Sequence, residues 1–81
     1  MNKTIYYDVP GEGKSELVEL SVFNIKGQLV KTLVSGQKQA GSHTIQWDGT
    51  DMTGQFVSTG IYFYRLRSKD VVLTKKLAVT K

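Results

Sequence analysis

The chain has no cysteine, one proline and one histidine among its 81 residues. Without cysteine there is no disulfide staple and no thiolate metal site, so apolar packing must hold the fold together. A lone histidine, His43, leaves no second imidazole or thiol to complete a transition-metal set, and we expect it at a rim rather than as a general base. No apolar run approaches the roughly 18 residues that span a bilayer. The opening MNKTIYYDVPGEGK lacks the apolar stretch of a signal peptide. Helical periodicity is nearly missing as well, and apolar residues recur at every second position instead. These absences argue against a metalloenzyme, a membrane helix and a helical bundle.

What is present is one small domain. A chain of this size buries only about 60% of its unfolded surface. Its 40% hydrophobic content includes four tyrosines, three phenylalanines and a tryptophan, enough for one compact core. The formal net charge is +4, but most lysines are scattered and only Arg65, Arg67, Lys75 and Lys76 lie close together. Nucleic-acid binding calls for a denser basic stripe interleaved with exposed aromatics, and we expect none.

Alternation sets out the strands. Thr4 to Val9 is stopped by Pro10 and the Gly11-Glu12-Gly13 turn. Ser15 to Asn24 puts Val18, Leu20 and Val22 on one face and Glu19 and Ser21 on the other. Gly27 closes a short bulged hairpin onto Gln28 to Val34, with a loop expected from Gln37 to Ser42. His43 to Trp47 brings Ile45 and Trp47 to one face, and Phe56-Val57 reads as a short edge strand. The last hairpin turns at Lys69-Asp70, setting Leu66 against Leu73, Tyr62 against Leu77 and Arg67 against Val72. A one-residue slip would move Leu66 and Tyr62 to the wrong face. This register leaves Lys75 beside Tyr64 on the apolar face, where it must either snorkel to solvent or be displaced by a bulge. Six or seven short strands with frequent turns indicate an all-β, antiparallel β-sandwich with Greek-key connections; a closed barrel is the alternative.

The richest segment runs from Gly41 to Leu66, with a loop punctuated by Gly49, Gly54 and Gly60. Asp48 and Asp51 resemble calcium ligands, but DGTDMTG lacks the alternating oxygens and terminal glutamate of an EF-hand. We expect both carboxylates to accept backbone amides within tight turns. Alternation places Trp47 in the core rather than on a sugar-stacking surface, leaving Tyr6, Tyr7 and Phe63 as aromatic candidates on separate strands. Tyr62, following Gly60-Ile61, sits where a tyrosine hydroxyl ties a sandwich corner. No arrangement of groups suggests catalysis, a cofactor or a metal site.

Taken together, TIYYDVP, LVELSVFNIKGQLVKTLVSG, AGSHTIQWDGTDMTGQFVSTGIYFYRLRS and VLTKKLAVTK resemble the immunoglobulin-like domain of the flagellar hook-capping protein. They resemble still more the C-terminal sorting domains of the bacterial type IX secretion system. The elements that carry this are Asn24, Gly27 and Val30, the Gly41 to Trp47-Asp48-Gly49 segment, Gly54, Gly60-Ile61-Tyr62 and Lys75-Lys76-Leu77. The resemblance implies an immunoglobulin-like sandwich of about seven strands, a single domain over residues 1–81, forming the C-terminal module of a larger exported protein. It implies a non-catalytic sorting role, monomeric in isolation, with localisation in the secreted fraction or at the outer-membrane surface. The partners would be outer-membrane secretion and sortase-like machinery, read through Gly60, Tyr62, Arg65, Arg67, Lys75, Lys76 and Lys81. Trp47, Asp48, Gly49, Asp51 and Gly54 would be structural. MNKT lacks the Asn-Pro-rich lead-in of the sorting domains, which keeps a hook-cap or spacer module open. A carbohydrate-binding accessory module is the third reading.

Overall fold

The structure, a computed structural model, describes residues 2–11, 13–69 and 71–80. Six strands alternate with turns: β1 (Lys3–Val9), β2 (Ser15–Asn24), β3 (Leu29–Gln39), β4 (Gly41–Trp47), β5 (Gly60–Arg67) and β6 (Val72–Val79). They form two antiparallel sheets, β1-β4 and β3-β2-β5-β6. Two hairpins, β2-β3 and β5-β6, sit side by side through β2-β5 pairing, while β4 crosses to the other sheet between them. This is the expected antiparallel sandwich.

The core follows from alternation. Ile5, Tyr7 and Val9 of β1 and Trp47 of β4 face Val18, Leu20 and Val22 of β2, with Tyr62, Leu66, Leu77 and Val79 from the last hairpin. Leu20 and Val22 have no exposed surface and Trp47 only 1%. Burying an aliphatic side chain of this kind contributes about 1.5–3 kcal/mol, so a few such residues decide whether so short a chain folds.

Two expectations are corrected. Residues 37–39 continue β3, pairing with Leu17, Glu16 and Ser15, and the Ala40 N–H donates to the Lys14 carbonyl. The polar composition marks a two-faced exposed strand end rather than a loop. Gly36, at φ 139°, keeps its place in the ladder opposite Val18. The β2-β3 register also shifts twice, between Leu20 and Ser21 and between Val22 and Phe23. Second, Phe56-Val57 is no strand. Phe56 forms a single bridge with Thr50, and the Val57 N–H donates to the Gly49 carbonyl. The turn through Gly54 is too tight to extend that bridge into a ladder, so the described residues form six strands instead of seven.

The last hairpin keeps the expected register along both strands, with Tyr62 opposite Leu77, Leu66 opposite Leu73 and Arg67 opposite Val72, while Asp70 of the expected turn lies outside the described residues. No bulge interrupts it, so Lys75 stays opposite Tyr64 and its side chain is exposed at the rim. The snorkelling alternative is the one realised.

Candidate recognition surfaces

The loop after β4 is built by its aspartates. The Asp48 carboxylate accepts the Thr50 N–H (3.0 Å) and hydroxyl, and Asp51 accepts the N–H groups of Thr53 (2.9 Å) and Gln55 (3.1 Å). These hydrogen bonds favour the ionised form and hold both carboxyls below their ordinary range; the side-chain bond from Thr50 leads for Asp48 and that from Thr53 for Asp51. The Lys31 ammonium joins in, 2.7 Å from the Thr50 hydroxyl and 3.6 Å from Asp48. Among the described residues no three His, Cys, Asp or Glu side chains converge to hold a metal ion.

The loop is then locked to the core. The Trp47 indole N–H donates to the Thr50 carbonyl at 2.9 Å, and its ring meets Tyr62 edge-on at 6.0 Å. The Tyr62 hydroxyl donates to the Ser58 carbonyl at 2.7 Å, a tyrosine tie at the start of β5. Gly49 and Gly54, at φ 82° and 88°, adopt the left-handed conformation that the two turns require.

The residues the sequence singled out for recognition do not form one surface. Arg65, Arg67 and Lys76 share the outer face of the four-stranded sheet, where Arg65 lies over the Phe23 ring at 4.4 Å and Arg67 pairs with Glu19 at 3.3 Å. Phe63 stands between Phe23 and Lys76 in the same row, and exposed Ile61 and Leu29 extend the apolar strip. Lys75 sits on the opposite face of β6. Tyr62 is buried and performs a structural task, Gly60 opens β5, and Lys81 lies outside the described residues. The aromatic candidates are likewise dispersed. Tyr6 is 70% exposed on the small sheet, Tyr7 is buried beneath it, and Phe63 belongs to the large sheet.

Sequence reasoning missed a cleft of about 340 Å³ that Lys75 borders, between the β1-β4 sheet and the β5-β6 hairpin, with Tyr7, His43, Tyr64 and Leu73 among its walls. Tyr7 stacks on His43 (ring centroids 5.3 Å, planes 18° apart), and a His43 ring nitrogen lies 2.7 Å from the Gln39 carbonyl. Burial pushes the Tyr7 phenol above its ordinary pKa. The awkward placement of Lys75 on an apolar face was the available signal.

Among the described residues no helix is long and apolar enough to cross a membrane. No curated protein matches the chain. Among solved structures, FlgD from P. aeruginosa is similar over 96% of this chain, at 26% identity and a TM-score of 0.72; the chain spans 58% of the length of that FlgD. The model of the FlgD Ig-like domain family matches residues 3–70. The sandwich, its glycine-punctuated loop and this match agree: the chain belongs to the FlgD Ig-like domain family.

Proposed function

We propose that this domain is a structural and assembly module of the hook-capping type, a rigid body that positions neighbouring protein through its surfaces and performs no chemistry. The observation that carries the reading is the match to the FlgD Ig-like family over most of the chain. The loop carboxylates support it, since their lone pairs are engaged in holding turns rather than presented to a substrate. Docking would use the outer face of β2-β5-β6, where Arg65, Arg67 and Lys76 surround Phe23 and Phe63. A cationic rim around apolar rings suits a partner that is acidic at its edge and apolar at its centre.

The test is replacement of the corresponding domain of a FlgD by this one, scoring hook assembly and motility. The triple variant R65E/R67E/K76E, with its melting curve checked, should abolish assembly while folding normally. Normal hooks with the triple variant would refute this face as the docking surface.

Export sorting is the second reading, and it makes β6 the recognised element. Lys75 and Lys76 are exposed on an edge strand, the segment that the resemblance to type IX sorting domains assigns to outer-membrane secretion and sortase-like machinery. The parent protein would then be secreted or held at the outer-membrane surface. A reporter carrying a signal peptide and this domain, expressed in a type IX host, separates the readings. Appearance outside the cell supports sorting, and retention in the periplasm eliminates it. The carbohydrate reading loses its basis, because Tyr6, Tyr7 and Phe63 share no face.

A further inference from the structure

The cleft between the β1-β4 sheet and the last hairpin is bordered by both layers, and strand alternation sorts its lining into two sets. Tyr6, Asp8, Ser42 and Thr44 belong to the outward rows of β1 and β4, where Tyr6 opposes Thr44 and Asp8 opposes Ser42. All four are exposed, and the Ser42 hydroxyl donates to the Asp8 carboxylate at 2.7 Å. The inward set is Tyr7 and His43 from the small sheet, with Tyr64, Leu66, Leu73 and Lys75 from the hairpin. The one acid of the lining therefore stands on an outward row, and the one lysine on an inward row.

The inward set is weighted towards hydrogen-bond donors. Lys75 forms no ion pair among the described residues. The Tyr7 and Tyr64 hydroxyls have no protein partner there either, yet no buried polar side-chain atom is left unbonded, so both hydroxyls open to the cleft they line. Burial raises the Tyr7 pKa, which keeps this phenol protonated and able to donate at neutral pH. His43 is held by its stack on Tyr7 and by a ring nitrogen 2.7 Å from the Gln39 carbonyl, a contact that nitrogen makes only as a donor. Beside these polar heads lie apolar surfaces: the Tyr64 ring, buried Leu66 and Leu73, which is 49% exposed.

Two phenols and an ammonium over a leucine floor, with no carboxylate facing inward, attract an anion that carries an apolar body and repel a cation. The volume, about 340 Å³, lies at the small end of the roughly 300–1,000 Å³ that ligand sites occupy. We propose that this cleft binds a small monocarboxylic acid with an aromatic body. The carboxylate accepts from the Lys75 ammonium and a tyrosine hydroxyl, and the ring lies against Leu73 and Tyr64. The inference goes beyond the assembly reading and stands whether or not the outer face of β5 docks a partner, because it rests on the inward rows alone.

The probe is phenylacetate, with phenylacetamide as its neutral counterpart, titrated into the domain and followed by two-dimensional NMR. Phenylacetate should saturate with a dissociation constant of about a millimolar and shift the resonances of Tyr7, His43, Tyr64 and Leu73. Phenylacetamide, the same shape without the charge, should bind about fivefold more weakly. Lys75→Met keeps an apolar stem but removes the charge, and should erase that preference while the melting temperature holds. Arg65→Met, on the outer face, should leave the preference intact. Equal affinity for the two probes, a preference that survives Lys75→Met, shifts centred on Phe23 and Arg65, or no saturation at tens of millimolar phenylacetate overturns the proposal.

Discussion

The two ends of the β5-β6 hairpin carry inward-facing residues in one unbroken register, yet their surroundings differ sharply. At one end Leu77 is 6% and Val79 3% exposed, beneath Trp47 and beside the Tyr62 tie. At the other, Leu73 is 49% exposed and Lys75 reaches solvent. Local sequence and pairing do not explain the contrast, since leucine occurs at both ends. The covering layer does. A sheet of two strands cannot roof a sheet of four: at the open end Leu66 on the inner strand β5 is still 3% exposed, and the uncovered position is Leu73 opposite it on the edge strand β6.

The strongest way to break this comparison is truncation at both ends. Leu77→Ala should destabilise the domain by about 2–5 kcal/mol through lost burial and the cavity left behind. Leu73→Ala should cost less than about 1 kcal/mol, because water already reaches the site. Equal losses in urea titrations would show that the two ends are not distinct. At the closed end, Tyr62→Phe should cost about 0.5–1.5 kcal/mol by removing the bond to the Ser58 carbonyl, read from the same titrations.

At the open end, Lys75→Leu should leave the melting temperature within a few degrees of the parent and raise self-association, measured by sedimentation, because the charge guarding the cleft is lost. The smallest effect concerns the loop. The carboxyls of Asp48 and Asp51 are held below their ordinary range when folded. Their contribution is therefore fully present above the ordinary carboxylate pKa, near 4, and disappears as pH falls through the lower folded values. Melting temperature should decline across that acid window, and Asp51→Asn should flatten part of the decline. A variant as acid-sensitive as the parent would remove Asp51 from this account.

The outer face sharpens the comparison from another side. Its apolar strip of Phe23, Phe63, Ile61 and Leu29 is interrupted by Arg65, which lies across Phe23 and keeps the row from being a bare patch. That face is guarded by cations over aromatics. The inner cleft is guarded by one lysine.

Much of this was legible in the residues themselves. Period-two alternation fixes which side chains of β1, β2 and β5 face inward, because a strand offers only two faces and one must be apolar. It placed Trp47 in the core and set the last hairpin residue by residue, since Leu66 and Tyr62 tolerate no slip. The aspartate-glycine loop was readable too, as Asp48 and Asp51 bond their own near neighbours and need nothing distant. What alternation could not supply was which strand lies over which. The polar residues 37–39 pair because β2 extends beside them, and Phe56 remains a lone bridge because the turn at Gly54 closes before a ladder can grow. The dispersal of Arg65 and Lys75 to opposite faces follows from the pairing, but the open cleft does not. Its existence depends on how far two strands reach across four, a property of the assembled layers rather than of any segment within them.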